Sequence, residues 1–413
     1  MATTTTLGEV PEHLVVDFDV YDPELTMPFD RMQEEVARLA ALGPVVYSTA
    51  HGGHWVVTHY DEVHRILRDP VTFSSYPNNL VDAGGGKFLP IEYDPPEHTA
   101  YRKALQPLFN PSRMRALEDR IREIVNDLVD GFATKGSAEY VAEFAHELPA
   151  RVFLALMGWP IEDAPLFTEA TDVAMNGKPT DTTPEEAAQS RTEAAYSMFE
   201  YFGRVIAARR SGEIRDDITA EIMDFRLELD DETRPPTDDE LSRMFFLLLV
   251  AGLHTVQGSL AWAVVHLAAH PEQRDRLVAD PSLVPGAVEE ILRVEAAVSA
   301  GRRATADIEI GGVTIRGGDQ LLLMLCGANR DGSEFRDPDD VDVQRFPNRH
   351  LSFGSGPHRC LGSHLARVEL RIAIEELNRR IPDYRPDPDE PPVVVPTQIR
   401  GFRSLPIRFT PSA

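Results

Sequence analysis

Cysteine is nearly absent: only Cys326 and Cys360 occur among 413 residues. That excludes a disulfide framework and fits a reducing compartment. Positive charge is scarce as well, with 41 Lys and Arg against 67 Asp and Glu and a net charge of −26, which argues against nucleic acid as a partner. The opening stretch Met1-Ala2-Thr3-Thr4-Thr5-Thr6-Leu7 has no apolar core. The run Phe245 to Val250 is apolar all round but shorter than a membrane span, so a cytoplasmic protein with no membrane partner is expected. Ser/Gly linkers, repeats and low-complexity runs are missing, which predicts a single domain over residues 1–413. What is present in quantity is apolar sequence, 42%, enough for a large core. Cys326, within Leu321 to Cys326, reads as part of it.

The stretch with chemistry in it is Phe353-Gly354-Ser355-Gly356-Pro357-His358-Arg359-Cys360-Leu361-Gly362. Three glycines and a proline make a turn, and a helical pattern begins at Ser363. Cys360 therefore stands at a helix start, where free N–H groups and the helix dipole favour a thiolate. Such a sulfur serves as a metal ligand or a nucleophile. Gly356 and Gly362 suit a backbone pressed against something large and flat. A zinc site from His358, Cys360 and His364 lacks the second ligand cluster that structural zinc takes. A plain cysteine in a Gly-rich turn is the other reading of the loop by itself.

Phe-x-x-Gly-x-x-x-Cys-x-Gly resembles the cysteine-ligand loop of the cytochrome P450 enzymes, and the resemblance extends over nearly the whole chain, most like the soluble bacterial members. It implies a mainly α fold with small β-sheets, and haem b held between a long central helix and the Cys loop. It makes Cys360 the axial ligand of the haem iron. Phe353 would shield the sulfur and help set the potential, and His358 would donate to a haem propionate. His98 and Arg102, four apart on a helix starting near Glu97, match a propionate-binding pair, and Arg302 matches a further propionate ligand, with Arg303 as the neighbour to be told apart from it. Without the cysteine loop, His98 and Arg102 would read as a solvated basic face.

The remaining chain is consistent with that frame. A helix is expected over Asp30 to Leu42, strands at Val45–Ser48 and His54–Thr58, and a short helix at Tyr60 to Arg68. Residues 76–93, with Gly84-Gly85-Gly86, read as a loop over a pocket, or as a plain surface loop. Arg113 to Phe225 is mostly helical, with Arg113, Arg115 and Arg120 opening one helix and a polar loop from Asn176 to Pro184. Asp230-Asp231-Glu232 marks a break. Thr237-Asp238-Asp239-Glu240 is a capping box opening a helix to about Ala269. At its centre Ala251-Gly252-Leu253-His254-Thr255 resembles the family's oxygen-site pattern. Ala251 and Gly252 would leave room beside a haem face. Thr255 would bond back to the Ala251 carbonyl and relay protons. His254 stands where the family has an acid. It delivers protons itself, binds a polar substrate group, or turns aside into a structural hydrogen bond; the sequence leaves all three open.

Glu290 and Arg293, joined by Arg345, match a buried pair that serves folding and haem retention. Ile91, Leu247, Val250, Ala297, Val298 and Ile399 would line the pocket and predict a non-ionic substrate, or be ordinary core. The resemblance implies a monooxygenase inserting one oxygen atom from O2 into a small or medium apolar compound, Thr255 and His254 being its catalytic candidates. Electrons would come from a ferredoxin and its NAD(P)H-driven reductase, docking on a basic patch of Arg102, Lys103, Arg113, Arg359, Arg367 and Arg371, unless these are scattered solvated charges. A peroxide-using peroxygenase or oxidative dealkylase/desaturase on the same haem is the enzymatic alternative. A haem-binding sensor or carrier is the other.

Overall fold

Thr237 and Glu240 start the longest helix, Asp238–Ala269, by exchanging hydrogen bonds: the Glu240 N–H donates to the Thr237 hydroxyl at 3.2 Å, and the Thr237 N–H to the Glu240 carboxylate at 2.7 Å. Arg234 adds two donors to that carboxylate, at 2.7 and 2.8 Å. Burial alone would raise the Glu240 pKa; Arg234, the Thr237 N–H and Tyr101 overcome it and hold the group at about 2. Glu240→Ala should therefore cost about 1–2 kcal/mol of stability in urea unfolding at neutral pH. Because the folded value lies below the ordinary 4.5, this contribution is complete above that pH and fades as pH falls toward 2. Wild type and variant should converge in acid, and equal urea midpoints at pH 7 would refute the role of the cap.

The computed structural model describes residues 5–81, 86–178, 180–212, 216–229 and 232–412. Its main helices are α1 (Met32–Leu42), α2 (Tyr60–Arg68), α3 (Glu97–Leu105), α4 (Glu118–Asp130), α5 (Glu147–Met157), α6 (Ala164–Asn176), α7 (Pro184–Ser211), α8 (Asp238–Ala269), α9 (Val284–Val294) and α10 (Ser363–Arg380). The strands that matter here are β1 (Val15–Val16), β2 (Val45–Ser48), β3 (His54–Val57), β4 (Phe73–Ser74), β5 (Ser299–Ala304), β6 (Gln320–Met324), β7 (Val393–Val395) and β8 (Gly401–Ser404). β1 to β6 form one mixed sheet in the order β1-β2-β3-β6-β5-β4, with β1 parallel to β2, β3 parallel to β6 and the other pairs antiparallel. β7 and β8 form a separate antiparallel pair. The fold is thus mainly α with small sheets, as the sequence implies.

α8 has 32 residues and so spans roughly 48 Å at 1.5 Å per residue. By length and hydropathy it is long and apolar enough to cross a bilayer, contrary to the expectation drawn from its short apolar run, as a buried core helix also can be. Packing decides its role instead. α5, α7 and α10 lie along it, and it contributes to two cores, its N-terminal half with α3 and α5 to α7, its C-terminal half with α4, α9 and α10. A third core fills the space between α1, α2 and the large sheet, with Cys326 buried in it.

Two expectations about the middle of the chain are corrected. Arg113, Arg115 and Arg120 do not share a helix: Pro111–Arg115 ends at Ala116, and α4 starts anew at Glu118. α6 continues to Asn176, so the polar connection before α7 is shorter than read. Gly84, Gly85, Asp230 and Asp231 lie outside the described residues.

Candidate functional site

The Cys360 turn is tied to the chain before it. The Cys360 N–H donates to the Phe353 carbonyl at 2.8 Å and the Gly354 N–H to the Leu351 carbonyl at 2.7 Å. Gly356, at φ +70°, packs on the end of α2: a methyl group there would lie 2.6 Å from the Leu67 carbonyl oxygen. Its missing side chain serves protein packing, not the flat partner read from sequence. Gly362 does face open space, with nothing within 4 Å of an added Cβ. Cys360 is exposed on that side. On its other sides burial pushes the thiol pKa up, against the Gly362 N–H and the charges of Arg102, Arg359 and Arg367. The expected depression at a helix start is therefore reversed in the free protein; a metal cation on the sulfur would deprotonate it.

Behind the turn, Arg367 lies over the Phe353 ring, 4.3 Å from its centroid. Two of its N–H groups reach Glu289, at 2.6 and 2.8 Å, and His350 Nε2 lies 3.1 Å from the same carboxylate. Burial would raise the Glu289 pKa; Arg367 and His350 hold it at about 2. Sequence reading passed over Glu289 because its neighbour Glu290 carries the motif.

Four basic side chains converge beside the turn. His98 and Arg302 are buried, and the His98 and His358 ring centroids are 3.8 Å apart. His98 Nδ1 and both His358 ring nitrogens are buried without a partner. Arg302 donates to the Gly301 carbonyl at 2.7 Å, and Arg102 to the Arg359 carbonyl at 2.7 Å. Burial, and then the neighbouring cations, push His98 to about 4 and His358 to about 2; burial lowers Arg302 to about 10. Asp94 opposes this at His98 and Arg302, but its own oxygens accept from Ser74 and Ser75. A cluster of this kind, repelling itself and holding idle donors, suits a partner with two negative charges. Arg303, next along β5, lines a separate small hollow with Glu92 and Gln320, which separates it from Arg302.

Midway along α8, the Thr255 hydroxyl donates to the Ala251 carbonyl at 2.8 Å, as the sequence suggests. Ala251 is exposed although it lies in the middle of a core helix, and Gly252 has nothing within 4 Å of an added Cβ. His254 turns toward the His146 ring, 6.2 Å away between centroids, and its Nε2 has no partner. Burial and then His146 hold its pKa down, while Asp172 acts the other way.

Val250, His254 and His146 open on a cavity of about 1110 Å³. Of the six apolar residues expected in such a pocket, Val250 and Ile399 are on its wall; Ile91, Leu247, Ala297 and Val298 are not. Ala297 is core, its carbonyl accepting from the Arg400 N–H at 2.7 Å, and Val298 pairs with Ile399 as a β-bridge. Phe246, Phe402 and Leu89, unpicked from sequence, line the cavity instead.

Glu290 and Arg293 are fully buried. Arg293 donates twice to Glu290, both at 2.8 Å, and Arg345 adds a third bond at 3.1 Å. The Asn348 amide and the Asp342 N–H complete the shell at 3.0 and 2.9 Å, two donors the sequence did not announce.

The expected basic patch is largely neutralised. Lys103 pairs with Glu228, Arg113 with Glu221, Arg367 with Glu289, and Arg371 with Glu118 and Glu375. Arg102 is drawn inward to a carbonyl, which leaves Arg359, exposed beside Cys360, as the free cation of the six among the described residues.

A family model described as cytochrome P450 matches residues 167–380. Cytochrome P450-SU2 of Streptomyces griseolus is 38% identical over 398 residues, covering 92% of this chain and 94% of that protein. Mycinamicin IV hydroxylase/epoxidase of Micromonospora griseorubida is 37% identical over 341 residues, 80% and 83% of the two chains. Among solved structures, that of cytochrome P450 CYP101C1 superposes with a TM-score of 0.87 at 30% identity, over 98% of this chain and 100% of the other.

Proposed function

The chain belongs to the cytochrome P450 family and is a haem-thiolate monooxygenase, and from that premise we propose that it oxidises a bulky, largely apolar substrate held in the cavity beside α8, using electrons from a ferredoxin. One oxygen atom of O2 enters the product; the other leaves as water with two electrons and two protons. Haem b follows from family membership, and the residues present fit it. Cys360, exposed toward open space, would hold the iron. His98, Arg102, Arg302 and His358 would hold the propionates, which explains why buried imidazole nitrogens stand idle there. When bound, the haem supplies the activation of dioxygen.

The chain's own residues do the rest. Phe353 and Arg367 stack on each other behind the turn, and the Arg367 charge favours the thiolate. Ala251 and Gly252 leave space on the α8 side, and the Thr255 hydroxyl moves protons there, its bond to the Ala251 carbonyl being the starting position. His254 faces His146 and the cavity, which favours a part in holding substrate or wall over direct proton delivery. Arg359 is the cation best placed for the electron donor. The unit is read as a single cytoplasmic domain.

The observation that carries this reading is the cysteine facing open space beside four convergent, acid-poor donors. Cavity size supports a substrate larger than the small or medium one expected from sequence. Thr255→Ala tests the oxygen chemistry. Product formed per NAD(P)H oxidised should fall roughly tenfold or more, with hydrogen peroxide released instead. A haem carrier would show no such change. A peroxygenase would reach its best yield from added peroxide, with ferredoxin adding nothing.

A further inference from the structure

We propose that the substrate carries an anionic group, a carboxylate in its simplest form, which docks on a cationic wall of the large cavity while its apolar body lies against Val250, Phe246 and Ile399. This rests on the cavity being the substrate chamber of the monooxygenase. It replaces the non-ionic substrate expected from sequence.

Charge is the reason. The chain has 67 acidic residues to 41 basic ones, yet the cavity lining reverses that balance: Lys87, Arg191, Arg243 and Arg403 are among the residues that line it, against Asp172. Asp172 acts on His146 and His254, whose pKa values it raises against burial. Arg191 and Arg403 have no ion-pair partner among the described residues. Arg243 donates to the Lys87 carbonyl at 2.6 Å, and its nearest carboxylate, Asp239, is 3.7 Å away with a solvent-exposed side chain. Lys87 sits over two aromatic rings, Tyr76 at 4.7 Å and Tyr93 at 5.3 Å. Arg113, Arg316 and Arg408, by contrast, hold acids at 2.5–2.8 Å.

Arg191 and Arg403, left without acids on a concave wall, focus positive potential there. The net charge of −26 repels an anion at long range. Salt screens that repulsion beyond about 8–10 Å, so the local wall decides once the ligand reaches the mouth. Charge-assisted hydrogen bonds between an ionised donor and a carboxylate are the strong kind, and an ester of the same length brings only a neutral acceptor to the same cations.

The test uses the haem-loaded protein. Dodecanoate and hexadecanoate are titrated beside their methyl esters, with binding read by Soret shift and by equilibrium dialysis. Each acid should bind about tenfold tighter than its ester at low salt, and high salt should erase the difference. The double variant Arg191→Glu/Arg403→Glu should lose the preference and keep its ester affinity within about twofold. Acid and ester binding equally, neither binding, or a preference that survives the double variant would overturn the proposal. The carbon monoxide difference band is recorded for both proteins. If it is present, the monooxygenase reading stands whatever the titration shows; if it is missing from wild type, that reading fails instead.

Discussion

Cys360→Ser should give a protein that folds but no longer shows the strongly red-shifted Soret band when reduced under carbon monoxide, and whose turnover falls below detection. Serine keeps the size of the side chain and the N–H bond to the Phe353 carbonyl, so the turn survives. What is lost is a soft anionic donor; a hydroxyl, with its much higher pKa, cannot replace it as a charge-donating iron ligand. Burial already pushes the Cys360 thiol upward in the metal-free chain. The charge on the sulfur thus depends on the cation it binds, and a weaker acid at that position is not deprotonated. A Cys360→Ser protein that kept the shifted band would place the ligand elsewhere and remove the basis of the functional reading.

Glu290→Ala should be the most damaging change outside the haem site. Glu290 accepts from Arg293, Arg345, Asn348 and the Asp342 N–H in a fully buried setting. Removing it leaves the buried Arg293 guanidinium without its carboxylate, at a cost of about 3–5 kcal/mol. Against a typical total of about 5–15 kcal/mol, that is enough to empty the folded state at moderate temperature. Thermal unfolding and retained haem after gel filtration measure it. Glu290→Gln, which keeps the acceptor oxygen but not the charge, should fall between. A Glu290→Ala protein within about 1 kcal/mol of wild type would show that the surrounding carbonyls, which already receive Arg293 and Arg345, suffice without it.

The helices and the Cys loop were legible because local signals agree with the tertiary result. The capping box at Thr237, the proline-marked start of α3 and the short β-branched and aromatic runs of β2 and β3 each have a short-range cause. The pocket was legible only at Val250 and Ile399, because its apolar residues look like any others in sequence. Ala297 is buried by a backbone bond to Arg400, more than a hundred positions away. The basic patch misled for a related reason. Its arginines are real, but Glu221, Glu228 and Glu289 come to them from distant segments, and charge counted along the chain says nothing of who meets whom. At Cys360 the helix start favours a thiolate, as the sequence suggests, while burial opposes it in the metal-free chain.

Glu289 and Glu290 are adjacent on α9 yet hold opposite ends of one segment. Glu290 receives Arg345 and Asn348, just upstream of the turn; Glu289 receives Arg367, just downstream of it, and meets His350 on the upstream side as well. The sulfur is therefore slung like a bridge deck between two cables anchored on the same pier. Its height above that pier is governed by α9, so a substitution that tilts α9 would shift Cys360 through residues that lie outside the turn.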